Sequence, residues 1–243
     1  MTIVFSTASP HLIVMTVDSA VTKDFGNTRE YEIGRKSYFF DGVGCVTTWG
    51  ARDLNKIGPY LDQIGISPDK HTVIDLADLV FTYLTLQYKP HELDFDDVGY
   101  HIAGFDKNGR ARLFHVFWGF DRPKPVEQTH REYKRYDHSP DAGEAYFLYN
   151  GRNDLAHIMI YTLLGQIAQG APTRFNLNHP AGLSSLGDFI ARFAGELTPE
   201  VGPPFLTYLI SPKNNAVRIQ NNYFSPVNHD DFINKLRELG YRV

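Results

Sequence analysis

The chain has 243 residues, of which 42% are hydrophobic and 21% are charged, so it can bury the core of an ordinary globular protein. Its formal net charge of −4 excludes a general basic surface for nucleic acid, and no apolar run reaches the roughly 18 residues of a membrane span. The one cysteine, Cys45, excludes an intrachain disulfide, and the chain start lacks the pattern of a signal peptide, so we expect a cytoplasmic protein.

The first part of the chain is predicted to form strands followed by two helices. Short apolar runs predict strands over residues 3–8, 11–18, 30–33 and 37–48. Ser9-Pro10 marks the first turn, and Asp41-Gly42 interrupts the last run. Apolar residues at helical spacing predict one helix from near residue 51, with a break or kink at Gly58-Pro59, and a second over 73–88.

The middle of the chain contains the clearest hairpin signal. Apolar residues 98–105 and 112–118 flank Asn108-Gly109, and this pair offers the positive φ angles that a tight turn needs. Residues 120–142 are charged and contain Pro123, Pro125 and Pro140. We therefore predict an exposed loop excursion near 120–142.

The last part of the chain repeats the order of strand, helices and strands. It is predicted to contain a strand over 145–149, helices over 155–167 and 183–197, a hairpin of 205–210 with 216–220, and a closing helix near 229–239. Helices thus come in consecutive pairs between antiparallel hairpins. This order predicts one α+β domain over 1–243, with two antiparallel sheets packed face to face and a helix pair outside each.

The start of the chain carries the main chemical signal. Thr2 follows Met1 and precedes the first predicted strand. Removal of Met1 would leave Thr2 with a free α-amine beside its own hydroxyl. This is the layout of an N-terminal nucleophile hydrolase, in which one residue supplies both nucleophile and base.

Several segments together resemble one known family. They are Thr2 with its two following strands, residues 17–22 (VDSAVT), Arg35-Lys36 before a strand, residues 43–53 (VGCVTTWGARD) and residues 99–106 (GYHIAGFD). This set is similar to the proteasome β-subunit family, within the N-terminal nucleophile hydrolases. The resemblance covers roughly residues 2–118, and 145–220 more loosely. It implies the four-layer αββα sandwich of those hydrolases.

The resemblance also implies a site and partners. Thr2 would be the nucleophile, Lys36 would lower the pKa of its hydroxyl, and Asp18 would hold Lys36 in place. The backbone N–H of Gly50 would be the oxyanion donor, and Asn150 would lie near the terminal amine. A peptide or amide substrate and a homo-oligomeric ring are implied in the same way.

Two differences from the family pattern leave an alternative open. Ala20 takes the place of an arginine, and the segment 198–203 (TPEVGP) lacks the family's Asp and Ser, although Glu200 could supply a carboxylate. These differences favour a catalytically inactive scaffold or assembly protein of the same fold. A third possibility is an amidase that acts on a small amide.

The remaining reactive residues do not indicate a cofactor or a metal. The ten histidines follow no metal-binding helix pattern, and Asp94, Asp96 and Asp97 lack the glycine and glutamate of a calcium loop. The glycines near residue 44 are not followed by the Gly-Lys of a phosphate loop. Cys45 lies in an alternating strand and is expected to be a small buried core residue.

Overall fold

A computed structural model describes residues 2–24, 29–50, 57–87, 97–119, 131–141, 146–151, 180–198 and 201–221. Its strands are β1 Ile3–Ala8, β2 Ile13–Val17, β3 Ala20–Asp24, β4 Arg29–Ile33, β5 Ser37–Phe40, β6 Gly44–Trp49, β7 Val98–Phe105, β8 Ala111–Gly119, β9 Glu132–Asp137, β10 Tyr146–Gly151, β11 Phe205–Ile210 and β12 Ala216–Asn221. Its helices are α1 Ile57–Ile64, α2 Val73–Gln87 and α3 Pro180–Leu197.

Most of the strands belong to two five-stranded antiparallel sheets. The first sheet has the order β10-β1-β2-β11-β12, and the second has the order β5-β6-β7-β8-β9. Strands β3 and β4 pair only with each other, as a separate two-stranded ribbon. The α+β class with antiparallel sheets is therefore confirmed.

The two sheets pack against each other through an apolar core. Residues of the first sheet meet residues of the second in one cluster, which includes Ile13, Met15 and Tyr208 from one side and Cys45, Ala103 and Leu113 from the other. Cys45 is fully buried, and this burial raises the pKa of its thiol. The expectation that Cys45 is a core residue is confirmed.

The side chains of strand β1 alternate between the two faces of the first sheet. Val4 packs towards Trp49 and Phe117 of the second sheet, whereas Ile3 and Phe5 pack towards helix α3. This alternation follows from the pleat, because neighbouring side chains of a strand point to opposite faces. It places β1, and the Thr2 that precedes it, between the second sheet and α3.

Helices cover the outer faces of both sheets. In α2, Leu76, Val80 and Leu84 repeat at every fourth position, are fully buried and join the cluster under β7 and β8. In α3, Leu186 and Ile190 pack under β1, β2 and β11. Residues four apart share one face of a helix, so each apolar stripe is buried against its sheet.

Helix α1 is continuous across the predicted break at Gly58-Pro59. The described helix begins at Ile57, so Pro59 lies in its first turn. Proline is tolerated there because an N–H in the first turn has no partner within the helix. Residues 51–56, where the helix was predicted to begin, lie outside the described residues.

The loop predicted for 120–142 needs correction. Residues 132–137, inside it, form β9 and pair with β8. The helices predicted over 155–167 and 229–239 lie outside the described residues.

Two features are absent from the described residues. None of their helices is long and apolar enough to cross a membrane. No group of three or more His, Cys, Asp or Glu side chains in the described part of the chain is arranged to hold a metal ion.

Candidate active site

Three of the residues predicted for the site contact one another. Lys36 Nζ donates to Thr2 Oγ1 at 2.8 Å and lies 3.1 and 3.0 Å from the two carboxylate oxygens of Asp18. Thr2 precedes β1, Asp18 follows β2 and Lys36 precedes β5, so three strand ends meet at this point. All three residues are buried.

Antiparallel pairing brings Thr2 beside Asp18. In the β1–β2 ladder, Val4 lies opposite Val17, so the residues before Val4 run alongside the residue after Val17. The backbone N–H of Ile3 then donates to Asp18 Oδ1 at 3.0 Å, and the N–H of Asp18 donates to the Ile3 carbonyl at 3.3 Å. The position of Asp18 is therefore set by the same strand that presents Thr2.

Asp18 is a fully buried carboxylate with many donors. Besides Lys36 and Ile3, it accepts from the backbone N–H of Ala20 at 3.1 Å and of Gly202 at 3.4 Å. A buried carboxylate needs such donors, because an uncompensated charge in the interior is strongly unfavourable. These bonds fix the carboxylate and, through it, the Lys36 ammonium.

Burial has the largest effect on the pKa values of both Asp18 and Lys36. It raises the pKa of Asp18, against the opposing effects of Lys36 and of the backbone N–H groups of Ile3 and Gly202. It also lowers the pKa of Lys36, against the attraction of Asp18. Both shifts have the same cause, since the protein interior disfavours the charged form of each group.

The segment 201–204 forms one wall of the site. Gly202 accepts a hydrogen bond from the Ser19 N–H at 3.0 Å, and the Ser19 hydroxyl donates to the Pro204 carbonyl at 2.6 Å. The segment thus supports Asp18 by main-chain groups. Glu200, predicted as a source of a carboxylate here, lies outside the described residues.

Gly50 lies at the end of β6 in a left-handed conformation with φ +92°. Its backbone packs on the chain before β7, and a Cβ there would clash with the Asp97 carbonyl oxygen. The geometry explains why glycine occupies this turn. The contacts of Gly50 do not test its role as oxyanion donor, which stays a prediction.

Asn150 makes its side-chain contact with a histidine of the other sheet. Its Oδ1 lies 2.7 Å from His101 Nε2, and His101 Nδ1 lies 2.9 Å from Ser6 Oγ. His101 is fully buried, and no motif in the sequence predicted a role for it. Strand alternation could have indicated it, because His101 and Ala103 share the face of β7 that meets the first sheet.

Comparison with known proteins gives a likeness of fold. No protein-family model matches the chain, and no curated protein matches it. Anbu from Hyphomicrobium sp. strain MC1 superposes with a TM-score of 0.60 and 10% identity over 99% of this chain and 97% of that one. Anbu, described as an ancestral β-subunit, from Yersinia bercovieri gives 0.62 and 12% over 98% and 94%.

The fold is similar to that of the Anbu proteins. The Anbu complex of Pseudomonas aeruginosa, solved as a helical assembly, also superposes, with a TM-score of 0.57 and 12% identity over 98% of this chain and 93% of that one. The similarity extends over nearly the whole length of each chain. At these identities it concerns the fold alone.

The identification with the proteasome β-subunit family is therefore wrong. The solved structures compared above are Anbu proteins, which resemble proteasome β subunits only distantly, and no family model supports the assignment. The site residues have to be argued from their own geometry.

Proposed function

We propose that this chain is a proteasome-like, threonine-type peptidase or amide hydrolase in which Thr2 becomes the nucleophile after removal of Met1. The observation that supports the proposal best is the contact between Lys36 Nζ and Thr2 Oγ1 at 2.8 Å. Lys36 makes this contact while Asp18 holds it from the other side. A fixed cation beside a hydroxyl is the arrangement that activates a weak nucleophile.

The chemistry begins with the Thr2 hydroxyl. An N–H donated by Lys36 favours negative charge on Oγ1 and thereby lowers the pKa of the hydroxyl. Oγ1 attacks the amide carbonyl carbon, and its proton passes to the free α-amine, directly or through a water. The C–N bond then breaks, the proton leaves with the amine, and an ester joins the acyl group to Thr2.

Water completes the cycle by hydrolysing that ester. The α-amine accepts a proton from the attacking water, the C–O bond to Thr2 breaks, and the hydroxyl is restored. We propose the Gly50 N–H as the donor to the carbonyl oxygen as it becomes negative. Asp18 takes no part in bond changes; it keeps the Lys36 ammonium aimed at Oγ1.

We also propose a complete fold and an oligomeric state for this chain. Helix α2 on the second sheet and α3 on the first support a four-layer αββα sandwich of the N-terminal nucleophile hydrolase type in one domain of 243 residues. The helical assembly of the Pseudomonas aeruginosa Anbu complex supports a homo-oligomer. Size-exclusion chromatography with light scattering tests the oligomer directly.

The test of the activity combines intact mass with a peptide β-lactone, which acylates a reactive hydroxyl. We expect a protein without Met1 that gains one label on the peptide beginning at Thr2. Thr2→Ala, processed in the same way, is the matched control and should gain none. Retention of Met1, or a processed protein that stays unlabelled, contradicts the proposal.

One observation favours the alternative, an inactive scaffold or assembly protein. In the chain that still carries Met1, Thr2 is only 4% exposed, whereas a nucleophile has to be reached by its substrate. A scaffold would show the same stability and the same oligomer for the wild type and Thr2→Ala, with no labelling of either. A hydrolase would show labelling that Thr2→Ala abolishes.

A further inference from the structure

His101 lies on the second sheet and contacts two strands of the first sheet. It lies on β7 and contacts Ser6 of β1 through one ring nitrogen and Asn150 of β10 through the other. Strands β1 and β10 pair with each other, with Val4 opposite Asn150. One buried side chain therefore ties together the strand that presents Thr2 and its neighbour.

The hydrogen bonds define the tautomer of the ring. An amide oxygen only accepts, so Nε2 of His101 carries the proton and donates to Asn150 Oδ1. Nδ1 then accepts from the Ser6 hydroxyl. Burial lowers the pKa of His101 to about 3, which keeps the ring neutral and preserves this pattern near neutral pH.

Asn150 is connected to Thr2 by the next residue of β10. Gly151 lies opposite Ile3 in the ladder and has a φ of +97°. Its backbone comes so close to Thr2 that a Cβ at this position would overlap the Thr2 carbonyl oxygen. The main chain at Gly151, next to Asn150, therefore packs directly on the Thr2 carbonyl with no side chain between them.

Thr2 is consequently held from two sides. Asp18 binds the Ile3 N–H on the β2 side, and Gly151 packs on the Thr2 carbonyl on the β10 side. The β2 side belongs to the site already described. The β10 side depends on Asn150, whose side chain is bonded to His101.

We infer that His101 is a positioning residue for Thr2, acting through Ser6, Asn150 and Gly151. Its effect on chemistry rests on the proposed function, whereas its effect on the position of Thr2 does not. His101 itself touches no reacting atom. It fixes how β1 is aligned with β10 at the end of β1 where Thr2 lies.

The experiment compares His101→Leu, which keeps the volume and removes both hydrogen bonds, with His101→Gln, whose amide can still donate to Asn150. Thr16→Val is the control, since it removes a different buried side-chain hydrogen bond, the one to Thr207. Amide hydrogen exchange of the peptides covering 2–8 and 146–151 reports the position of the strands. The maximal rate and the half-saturating concentration of β-lactone labelling report the nucleophile.

We expect His101→Leu to speed exchange in both peptides by about tenfold, the effect of losing a buried hydrogen bond. Its maximal labelling rate should fall about 10- to 100-fold with an unchanged half-saturating concentration, because a small misplacement affects reaction more than binding. His101→Gln should restore most of both values, and Thr16→Val should change neither. Equal effects of His101→Leu and Thr16→Val would overturn the inference.

Two further outcomes keep the two proposals separate. If the wild type is not labelled, the proposed function fails, and exchange of the 2–8 and 146–151 peptides alone decides the role of His101. If His101→Leu does not fold, Ser6→Ala replaces it, with Thr16→Val as control for the loss of another buried hydroxyl contact. Faster exchange of both peptides in Ser6→Ala than in Thr16→Val supports the inference, and equal exchange overturns it.

Discussion

Ala20 lies directly against Gly202 beside the buried carboxylate of Asp18. A Cβ on Gly202 would come within 3.2 Å of the Ala20 methyl group, and both residues donate a backbone N–H to Asp18 Oδ2. The two differences from the proteasome β-subunit pattern therefore meet in space. A small side chain at position 20 permits the segment 201–204 to approach and supply the Gly202 N–H.

We expect Ala20→Arg to destabilise the fold by about 1–3 kcal/mol, the usual effect of overpacking a filled site. The longer side chain would displace Gly202 and remove one donor from Asp18. Denaturant unfolding measures the change. Val217→Arg on β12, at a position that is 62% exposed, is the control and should alter the free energy of unfolding by no more than about 0.5 kcal/mol. Equal changes in the free energy of unfolding for the two variants would show that position 20 can accommodate a large side chain.

Removal of Lys36 should be far more harmful than removal of an exposed lysine. Lys36→Met leaves Asp18 without its buried counter-ion, and we expect a loss of about 3–5 kcal/mol in the free energy of unfolding. The double variant Asp18→Asn/Lys36→Met should lose less than the sum of its single variants, because it removes both charges and leaves none unpaired. Lys213→Met is the exposed control. Additive losses in the double-mutant cycle would argue against coupling of the pair.

The buried ring of His101 should make stability depend on pH. Its pKa is about 3 in the folded protein against an ordinary value of 6.5, so between these values the unfolded chain binds a proton that the folded chain does not. Stability contributed by this residue is therefore complete above pH 6.5 and is lost as the pH falls towards 3, by up to about 1.4 kcal/mol per pH unit.

Two neighbouring histidines belong to the same test. The ring of His115 lies 5.3 Å from that of His101, and the charge of a protonated His138 further lowers the pKa of His101. Urea unfolding from pH 4 to pH 7.5 should show a shallower pH dependence for His101→Gln than for the wild type. His11→Gln, at an exposed position, should keep the wild-type dependence. An unchanged slope for His101→Gln would mean that its ring titrates alike in both states.

Much of the fold was predictable, because apolar side chains recur at regular spacing in the sequence. Leu76, Val80 and Leu84 mark α2 at helical spacing, and the Asn108-Gly109 turn identifies the β7–β8 hairpin. Strand β9 could not be found in this way. Its side chains are polar or aromatic and only partly buried or exposed, because an edge strand is held mainly by main-chain bonds to its neighbour.

The candidate site was predictable only in part. Thr2, Asp18 and Lys36 stand at strand ends, and the structure brings their side chains together although the family that suggested them was wrong. Their roles in a site stay a prediction. The N–H of Gly202 reaches Asp18 across 184 residues of sequence, by a main-chain group that no residue pattern marks. Such main-chain contacts depend on the path of the folded backbone, so the residue types alone do not predict them.

Gly151 should be the least replaceable glycine beside the site. Gly151→Ala places a methyl group on the Thr2 carbonyl oxygen, so β10 or Thr2 has to move. Gly109→Ala is a matched control, because its φ of +70° is also positive and a Cβ there meets nothing within 4 Å. We expect about 1 kcal/mol for Gly109→Ala, from backbone strain alone, and at least about 3 kcal/mol for Gly151→Ala. β-Lactone labelling should also fall for Gly151→Ala only. Similar losses for the two variants would mean that Thr2 and β10 separate easily, and the close packing of Gly151 would then have no part in holding Thr2.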